Sequence, residues 1–245
     1  MPLTQGTALA GEQQQAQQAE DIVLIKFRQP DTDESSDPQD RPRGGGSRQI
    51  CKTGTNQSEI VCTNQSLTAL VPSNQLSSNT SSAWGLTVEG RPTLWFYVPY
   101  SSNAIHQVIF ELLDSNGTKI FVEDTLKLSD TPGIIGYRPP LSQALEIHKT
   151  YRWHLLLRLD PASPSGDAYI SGRIKRIARP PHLQQGQDLR QFASTLAKAG
   201  IWYDTLTVVS NLYADDPRYW QSLLTSVGLK DFIEEPISRC CASSK

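Results

Sequence analysis

The histidines are the residues best suited to acid–base chemistry near neutral pH. They are His106, His148, His154 and His182. None lies in a metalloprotease helix motif, and the sequence has neither a G-x-S-x-G nucleophile elbow nor a phosphate-binding G-x-x-x-x-G-K-S/T loop. His154 alternates with apolar residues, so we expect it on the outer face of a strand. A solvated strand face explains it more simply than a catalytic site, because the sequence offers it no acid–base partner.

Seven residues between positions 173 and 204 are candidates for an interaction site. They are Arg173, Lys175, Arg176, Arg179, Trp202, Tyr203 and Asp204. The four cations form a basic stretch that could meet an acidic partner or the chain's own acidic segment at residues 31–40. The same charges also suit an exposed edge strand, where they block unwanted pairing. For the aromatic residues, packing between helices and strands is the alternative to a ligand platform.

Two of the four cysteines flank a short polar segment before the first predicted strand. Closing the loop between Cys51 and Cys62 would contribute roughly 3 kcal/mol if the pair is oxidised, and we expect this disulfide in an exported protein. In a reducing cytosol both would be free thiols. Cys240 and Cys241 are adjacent, so a bridge between them would be strained. No cysteine or histidine cluster has zinc spacing, and we expect neither a metal nor a cofactor.

The composition excludes several classes of protein. The 245 residues include 23 Lys and Arg against 25 Asp and Glu, a formal net charge of -2. Such a chain has no general positive field to attract nucleic acid. No apolar run approaches the roughly 18 residues that a membrane-spanning helix needs. We therefore expect no nucleic-acid partner and no transmembrane segment.

The N-terminus gives an expectation about localisation. Ala8-Leu9-Ala10, followed by Gly11, has the small-x-small form of a signal-peptidase site, but no basic and apolar signal regions precede it. We expect a periplasmic or extracellular protein whose signal peptide is missing from the sequence. An ordinary cytoplasmic start is the alternative.

Composition also predicts four regions. Residues 1–48 are rich in Gln, Ser, Pro and charged residues and are expected to be mostly a disordered tail, although Ile22–Phe27 is β-prone and is expected to dock as an added edge strand. Residues 49–180 are expected to form a β-sandwich, and residues 181–232 a helical unit packed on it. Residues 233–245 are expected to be a C-terminal tail.

The middle region has short apolar runs separated by turn residues, which is typical of an immunoglobulin-like or fibronectin-like sandwich. The predicted strands are Leu67–Val71, Gly85–Val88, Thr93–Val98, Ile105–Leu113, Lys119–Glu123, Gly133–Tyr137, Tyr151–Leu159 and Ala168–Ile177. Asn116-Gly117 predicts a tight hairpin turn. The best alternation starts at Tyr151 and Trp153, which we expect in the core. The spacing between Leu145 and Tyr151 predicts a tyrosine corner, in which the hydroxyl bonds to backbone just upstream.

After Pro180-Pro181 the apolar period becomes helical. Leu189, Phe192, Ala193, Leu196 and Ala197 share one face of a first helix, and Gly200 is placed to end it. A second helix is predicted from Ile201 or Trp202 to Tyr213. Asp216-Pro217 is typical of a helix start and predicts a third helix, which ends at Gly228. The predicted fold class is therefore mainly β with α, a sandwich followed by about three helices.

Four motifs in this order resemble one known family. They are Arg43-Gly44-Gly45-Gly46-Ser47-Arg48, Leu67-Thr68-Ala69-Leu70-Val71-Pro72, Pro92-Thr93-Leu94-Trp95-Phe96-Tyr97-Val98-Pro99 and Gly200-Ile201-Trp202-Tyr203-Asp204. The chain resembles, over residues 41–229, the cyanobacterial domain-of-unknown-function family numbered nine hundred and twenty-eight. The resemblance implies export and no assigned activity, and it carries over no catalytic residues.

Three functions are consistent with these observations. The first is a non-enzymatic, exported binding or adaptor protein that acts through protein contacts at the cell envelope. The second is a carbohydrate-binding module in which exposed rings of Trp84, Trp95 or Trp202 stack on sugars. The third is a hydrolase that uses His154 or Asp204 in a deep cleft.

Overall fold

The computed structural model describes residues 24–30, 65–75, 81–162, 164–181, 183 and 188–239, and its fold is mainly β with α. The ten strands are β1 (Thr68–Ala69), β2 (Ser73–Gln75), β3 (Ser81–Thr87), β4 (Leu94–Val98), β5 (Gln107–Leu113), β6 (Lys119–Leu126), β7 (Gly133–Tyr137), β8 (Thr150–Arg158), β9 (Ala168–Arg176) and β10 (Ile237–Arg239). The three α-helices are α1 (Leu189–Lys198), α2 (Trp202–Leu212) and α3 (Arg218–Ser226). No helix in the described ranges is both long and apolar enough to cross a bilayer.

The strands form two sheets. One has four strands in the order β1-β4-β7-β10, and the other has six in the order β2-β3-β9-β8-β5-β6. Two neighbouring pairs, β3 with β9 and β7 with β10, are parallel, and the other pairs are antiparallel. Immunoglobulin-like sandwiches consist of two antiparallel sheets. The immunoglobulin-like assignment is therefore not confirmed, whereas the mainly β class is.

Aromatic residues fill the space between the two sheets. The Phe96 ring on β4 meets the Trp153 ring on β8 at 5.4 Å, and Tyr137 on β7 meets Phe110 on β5 at 5.0 Å. Residues of β8 alternate between buried and half-buried along the strand. Trp153 lies on the buried face and is completely buried. The tyrosine corner is confirmed, since the Tyr151 hydroxyl accepts a hydrogen bond from the backbone N–H of Glu146 at 2.9 Å.

The helices cover the other face of the four-stranded sheet. All five residues of β4 are buried, as expected for a strand that is covered on both faces. Trp95 on β4 packs edge-on against Trp220 of α3 at 6.3 Å, and its indole Nε1 donates to the Thr207 hydroxyl of α2 at 3.1 Å. The Trp95 ring lies over Gly136 of β7, where a Cβ would stand 2.7 Å from it. The helices thus cover β4 on the face away from the six-stranded sheet, and the start of α2 also packs against β3 of the six-stranded sheet.

The helix ends follow their sequence signals. The Asp188 side chain accepts hydrogen bonds from the backbone N–H groups of Arg190 and Gln191 at the start of α1. Gly200 and Gly228 have positive φ angles of 72° and 78° beyond the ends of α1 and α3, as a C-terminal glycine cap requires. The short turn at Gly200 places the first residues of α2 next to the sheets.

The expected edge strand at Ile22–Phe27 is not found in the part of it that the structure describes, since residues 22 and 23 lie outside the described residues. Residues 24–30 form no strand, and they contact the helices instead of a sheet edge. Ile25 is buried, the Phe27 ring packs edge-on against Trp202 at 4.9 Å, and Arg28 N–H donates to the Ala197 carbonyl at 3.1 Å. The Ala197 carbonyl in the last turn of α1 and the ring of Trp202 thus hold this segment against the helices.

The expected tail from residue 233 is also corrected. Ile237–Arg239 forms β10, which pairs with β7 in parallel, and Ile134 N–H donates to the Pro236 carbonyl at 2.7 Å. The backbone groups on this side of β7 are buried and need partners, which explains why a short polar segment becomes a strand. The four cysteines, including the predicted Cys51–Cys62 pair, lie outside the described residues.

Candidate functional site

Asp204 lies in the first turn of α2, at the floor of a cleft between that helix and the loop after β3. Its Oδ2 accepts from the backbone N–H of Val88 at 3.2 Å. The nearby Thr87 side chain favours the charged carboxylate and so opposes the rise in pKa. The second oxygen, Oδ1, is buried and has no hydrogen-bond partner among the described residues. Burial raises the pKa of Asp204 to about 7, and the nearby negative charge of Glu89 acts in the same direction.

The cleft has a volume of about 200 Å³. Pro92, Phe192 and Val208 give it an apolar wall, and Arg91 and Arg138 also line it. The arginines come from the loops at one end of β4 and β7. These strands are antiparallel, and Leu94 at the start of β4 stands opposite Tyr137 at the end of β7. The loop before β4 and the loop after β7 therefore lie at the same end of the strand pair. We call this space the Asp204 cleft.

The arginines around the cleft differ in their partners. Arg91 donates from Nε to the Leu141 carbonyl at 2.9 Å and from Nη2 to the Ser142 carbonyl at 3.2 Å. Arg179 forms an ion pair with Glu89 at 2.7 Å. Arg138 is exposed, and within the described ranges neither it nor Arg91 has a carboxylate at ion-pair distance. The cleft therefore keeps positive charge that its own acids do not neutralise.

The aromatic candidates next to Asp204 are buried and hold the fold together. The Trp202 indole Nε1 donates to the Leu70 carbonyl at 2.8 Å. The Tyr203 hydroxyl accepts from the Trp153 indole Nε1 at 3.0 Å and donates to the Arg173 carbonyl at 3.2 Å. These contacts join α2 to both sheets, so Trp202 and Tyr203 fix the position of Asp204.

The structure does not bring the basic stretch together as one surface. Arg173 and Lys175 lie, half-buried, on the outer face of the six-stranded sheet. The Arg176 guanidinium instead donates to the carbonyls of Val88 and Leu145, which anchors the loops around it. Arg179 belongs to the rim of the Asp204 cleft through its bond to Glu89. The four cations therefore divide between two surfaces and a structural role.

His154 lies on the outer face of the six-stranded sheet, as predicted, and not in the Asp204 cleft. Its Nδ1 is 3.5 Å from Oε2 of Glu111 on the neighbouring strand, and Glu111 is also bonded to Lys119 at 2.5 Å. Burial lowers the pKa of His154, while Glu111 opposes this shift. A deep cleft joining His154 to Asp204 would favour the hydrolase hypothesis, but neither of the two described clefts brings them together.

The tryptophans proposed for sugar stacking are not exposed. The exposed fractions are 8% for Trp84, 2% for Trp95 and 0% for Trp202. Stacking on a sugar needs an open ring face. These three rings therefore do not form a carbohydrate platform.

Strand β6 is a second candidate surface, which the sequence reasoning missed. It forms one edge of the six-stranded sheet, and most of its side chains are exposed. Ile120 is 46% exposed and Val122 48%, which is high for large aliphatic residues on a strand. Ile120 and Val122 flank Phe121, which points to the other face and packs against Phe110 at 6.4 Å. Alternation of this kind in the sequence predicts a strand with one exposed face.

Comparison with known proteins gives a family and no relative with an assigned function. No curated protein and no solved structure matches the chain significantly. The described residues contain no group of three or more His, Cys, Asp or Glu side chains that could hold a metal ion. The family model described as Domain of Unknown Function (DUF928) matches residues 43–237, and the chain therefore belongs to this family.

Proposed function

We propose that this chain is a non-enzymatic binding protein that acts through contacts with another protein, at the cell envelope or outside the cell. The observation that carries the proposal is the open edge of β6. One side of this strand pairs with β5, and the backbone groups on the other side have no neighbouring strand in the described residues. An extended segment of a partner protein satisfies such an edge by adding a strand.

The side chains of β6 support this mode of binding. Lysine on an edge strand usually discourages pairing, but Lys119 is bonded to Glu111 of its own sheet. Ile120 and Val122 offer apolar contacts on the exposed face. We expect the partner segment to be extended and to carry apolar residues at alternate positions, facing these two side chains.

The absence of enzyme activity is part of the proposal. His154 and Asp204, the two candidates for acid–base chemistry, lie on different surfaces. Neither has a described serine or cysteine nucleophile bonded to it. Catalysis by nucleophile and base needs the two within hydrogen-bond reach.

Export is proposed from the Ala8-Leu9-Ala10 motif, and it predicts the Cys51–Cys62 disulfide. Mass spectrometry of non-reduced peptides from protein made in an oxidising compartment tests it, and we expect the two cysteines in one linked peptide pair. Free thiols at both positions would contradict export. The cyanobacterial origin implied by the sequence resemblance stays a prediction.

The experiment for the binding mode is a selection of displayed peptides on the immobilised full chain. Peptides that bind are then measured against Ile120→Lys and Val122→Lys, and we expect the affinity to fall at least about tenfold. Ile147→Lys is the matched control, because Ile147 is 46% exposed and lies in the loop before β8. Peptides that bind both edge variants normally would refute the proposal, as would dimerisation of the chain through β6 in sedimentation experiments.

A further inference from the structure

The Asp204 cleft contains a carboxyl group that the protein itself pairs incompletely. Oδ2 accepts from Val88 N–H, whereas Oδ1 is buried and unpaired among the described residues. A buried acceptor without a hydrogen bond is unfavourable. A ligand group that donates to Oδ1 would remove this cost, so the cleft favours a ligand with a hydrogen-bond donor.

The charges around the cleft favour an anion as the other part of the ligand. Five charged side chains line or border it: Glu89, Arg91, Arg138, Arg179 and Asp204. Glu89 and Arg179 neutralise each other in their ion pair. Arg91 and Arg138 then outnumber Asp204 whether or not Asp204 is ionised. Guanidinium groups bind carboxylates through two parallel hydrogen bonds, which makes a carboxylate a fitting anionic group.

The donor is better supplied by a hydroxyl than by an ammonium group. An ammonium buried against Asp204 would have to lose its hydration and would require the ionised carboxylate. A hydroxyl is neutral and costs less to bury. The apolar wall formed by Pro92, Phe192 and Val208 can pack against the C–H groups of a ring.

We propose that the Asp204 cleft binds a small hydroxy acid of the sugar-acid class. Its carboxylate lies between Arg91 and Arg138, and one of its hydroxyls donates to Oδ1 of Asp204. This site is separate from the β6 edge, so the two proposals stand or fall independently. It also does not need the buried tryptophans that a stacking platform would use.

The test is isothermal titration calorimetry, which measures the affinity of the full chain for D-glucuronate at constant ionic strength. Two probes isolate the two parts of the ligand, since D-glucose has the hydroxyls without the carboxylate, and cyclohexanecarboxylate has the ring and carboxylate without hydroxyls. We expect D-glucuronate to bind at least about tenfold more tightly than either. In NMR spectra, the amide signals that shift should lie at residues 88–91, at Thr93 and at residues 203–208.

Variants of exposed arginines complete the test. Arg138→Gln should weaken D-glucuronate binding at least about tenfold. Arg218→Gln is the matched control, because Arg218 is exposed on α3 and does not line the cleft, and binding should not change. The proposal is overturned if D-glucuronate does not bind, if either partial probe binds equally well, or if Arg138→Gln has no effect.

Discussion

The Tyr203 hydroxyl links α2 to two strands of the six-stranded sheet, β8 and β9, and Tyr203→Phe tests this link. The hydroxyl accepts from the Trp153 indole N–H at 3.0 Å and donates to the Arg173 carbonyl at 3.2 Å. Trp153 is completely buried, so its N–H would lose this partner without gaining water. An unpaired buried polar group costs roughly 1 to 3 kcal/mol. Because the carbonyl has a second lone pair, we assign most of the loss to the indole and expect roughly 2 to 3 kcal/mol in total.

Phenylalanine keeps the ring that lies over Gly85, where a Cβ would stand 2.9 Å from Cε2, so the substitution creates no cavity. A loss of this size lowers the melting temperature by roughly 4 to 12 °C in a chain of this length. Urea unfolding followed by tryptophan fluorescence measures it. Tyr213→Phe is the control, because Tyr213 packs on Trp220 at 6.1 Å with no hydroxyl bond to the described chain, and its cost should stay within about 0.5 kcal/mol. Equal stability of the two variants would refute the role assigned to Tyr203.

Three further substitutions test the core and the cleft. Burial raises the pKa of Asp204 to about 7 in the folded chain, against 3.8 for an ordinary aspartate. The folded state therefore binds more protons between these values, and the contribution of Asp204 to stability falls as pH rises from about 4 to about 7. In urea unfolding at several pH values, the stability of the parent chain relative to Asp204→Asn should therefore decrease over this window, and a constant difference would contradict the burial of the carboxyl. Trp153→Ala should cost about 3 to 5 kcal/mol by calorimetry, and a melting temperature near that of the parent would show that this face of β8 points outward. Gly172→Ala places a Cβ against the Trp153 ring and 2.8 Å from the Ala83 carbonyl, and should cost about 1 to 3 kcal/mol, whereas Gly166→Ala, with open space around the new Cβ, should be nearly neutral; similar melting curves for the two would contradict the packing.

The strands that the sequence predicts well are those whose patterns are local. Gly133–Tyr137 has the predicted bounds, and β8 differs from its prediction by one residue at each end. Both have β-branched, aromatic or strictly alternating apolar residues, which suit a pleated surface in any context. The Asp114–Thr118 turn between β5 and β6 follows its Asn-Gly pair, with Gly117 at a φ of 80°.

The strands that were missed depend on tertiary pairing. β2 and β10 have three residues each and contain mainly polar side chains, so no local pattern distinguishes them from loops. β10 forms because β7 has an unpaired buried edge, and that edge is not visible in the sequence. The same reason explains why Leu24–Pro30 contacts the helices instead of a sheet.

The candidate site was predicted in part. Asp204 was singled out, but Arg91 and Arg138 were not, because they lie more than sixty residues before it. They reach the cleft through the pairing of β4 with β7, in which Leu94 stands opposite Tyr137. Local composition does not indicate which strands pair, so a site that combines three distant segments cannot be read from one of them.

The central claim is that β6 receives an extended segment of a partner protein, and amide hydrogen exchange tests it most directly. The measurement compares the full chain alone with the chain bound to a peptide selected on it. A peptide that adds a strand should slow exchange along Lys119–Leu126, because outward N–H groups of the edge become hydrogen-bonded. Unchanged exchange along β6 together with protection elsewhere in the chain would contradict the claim.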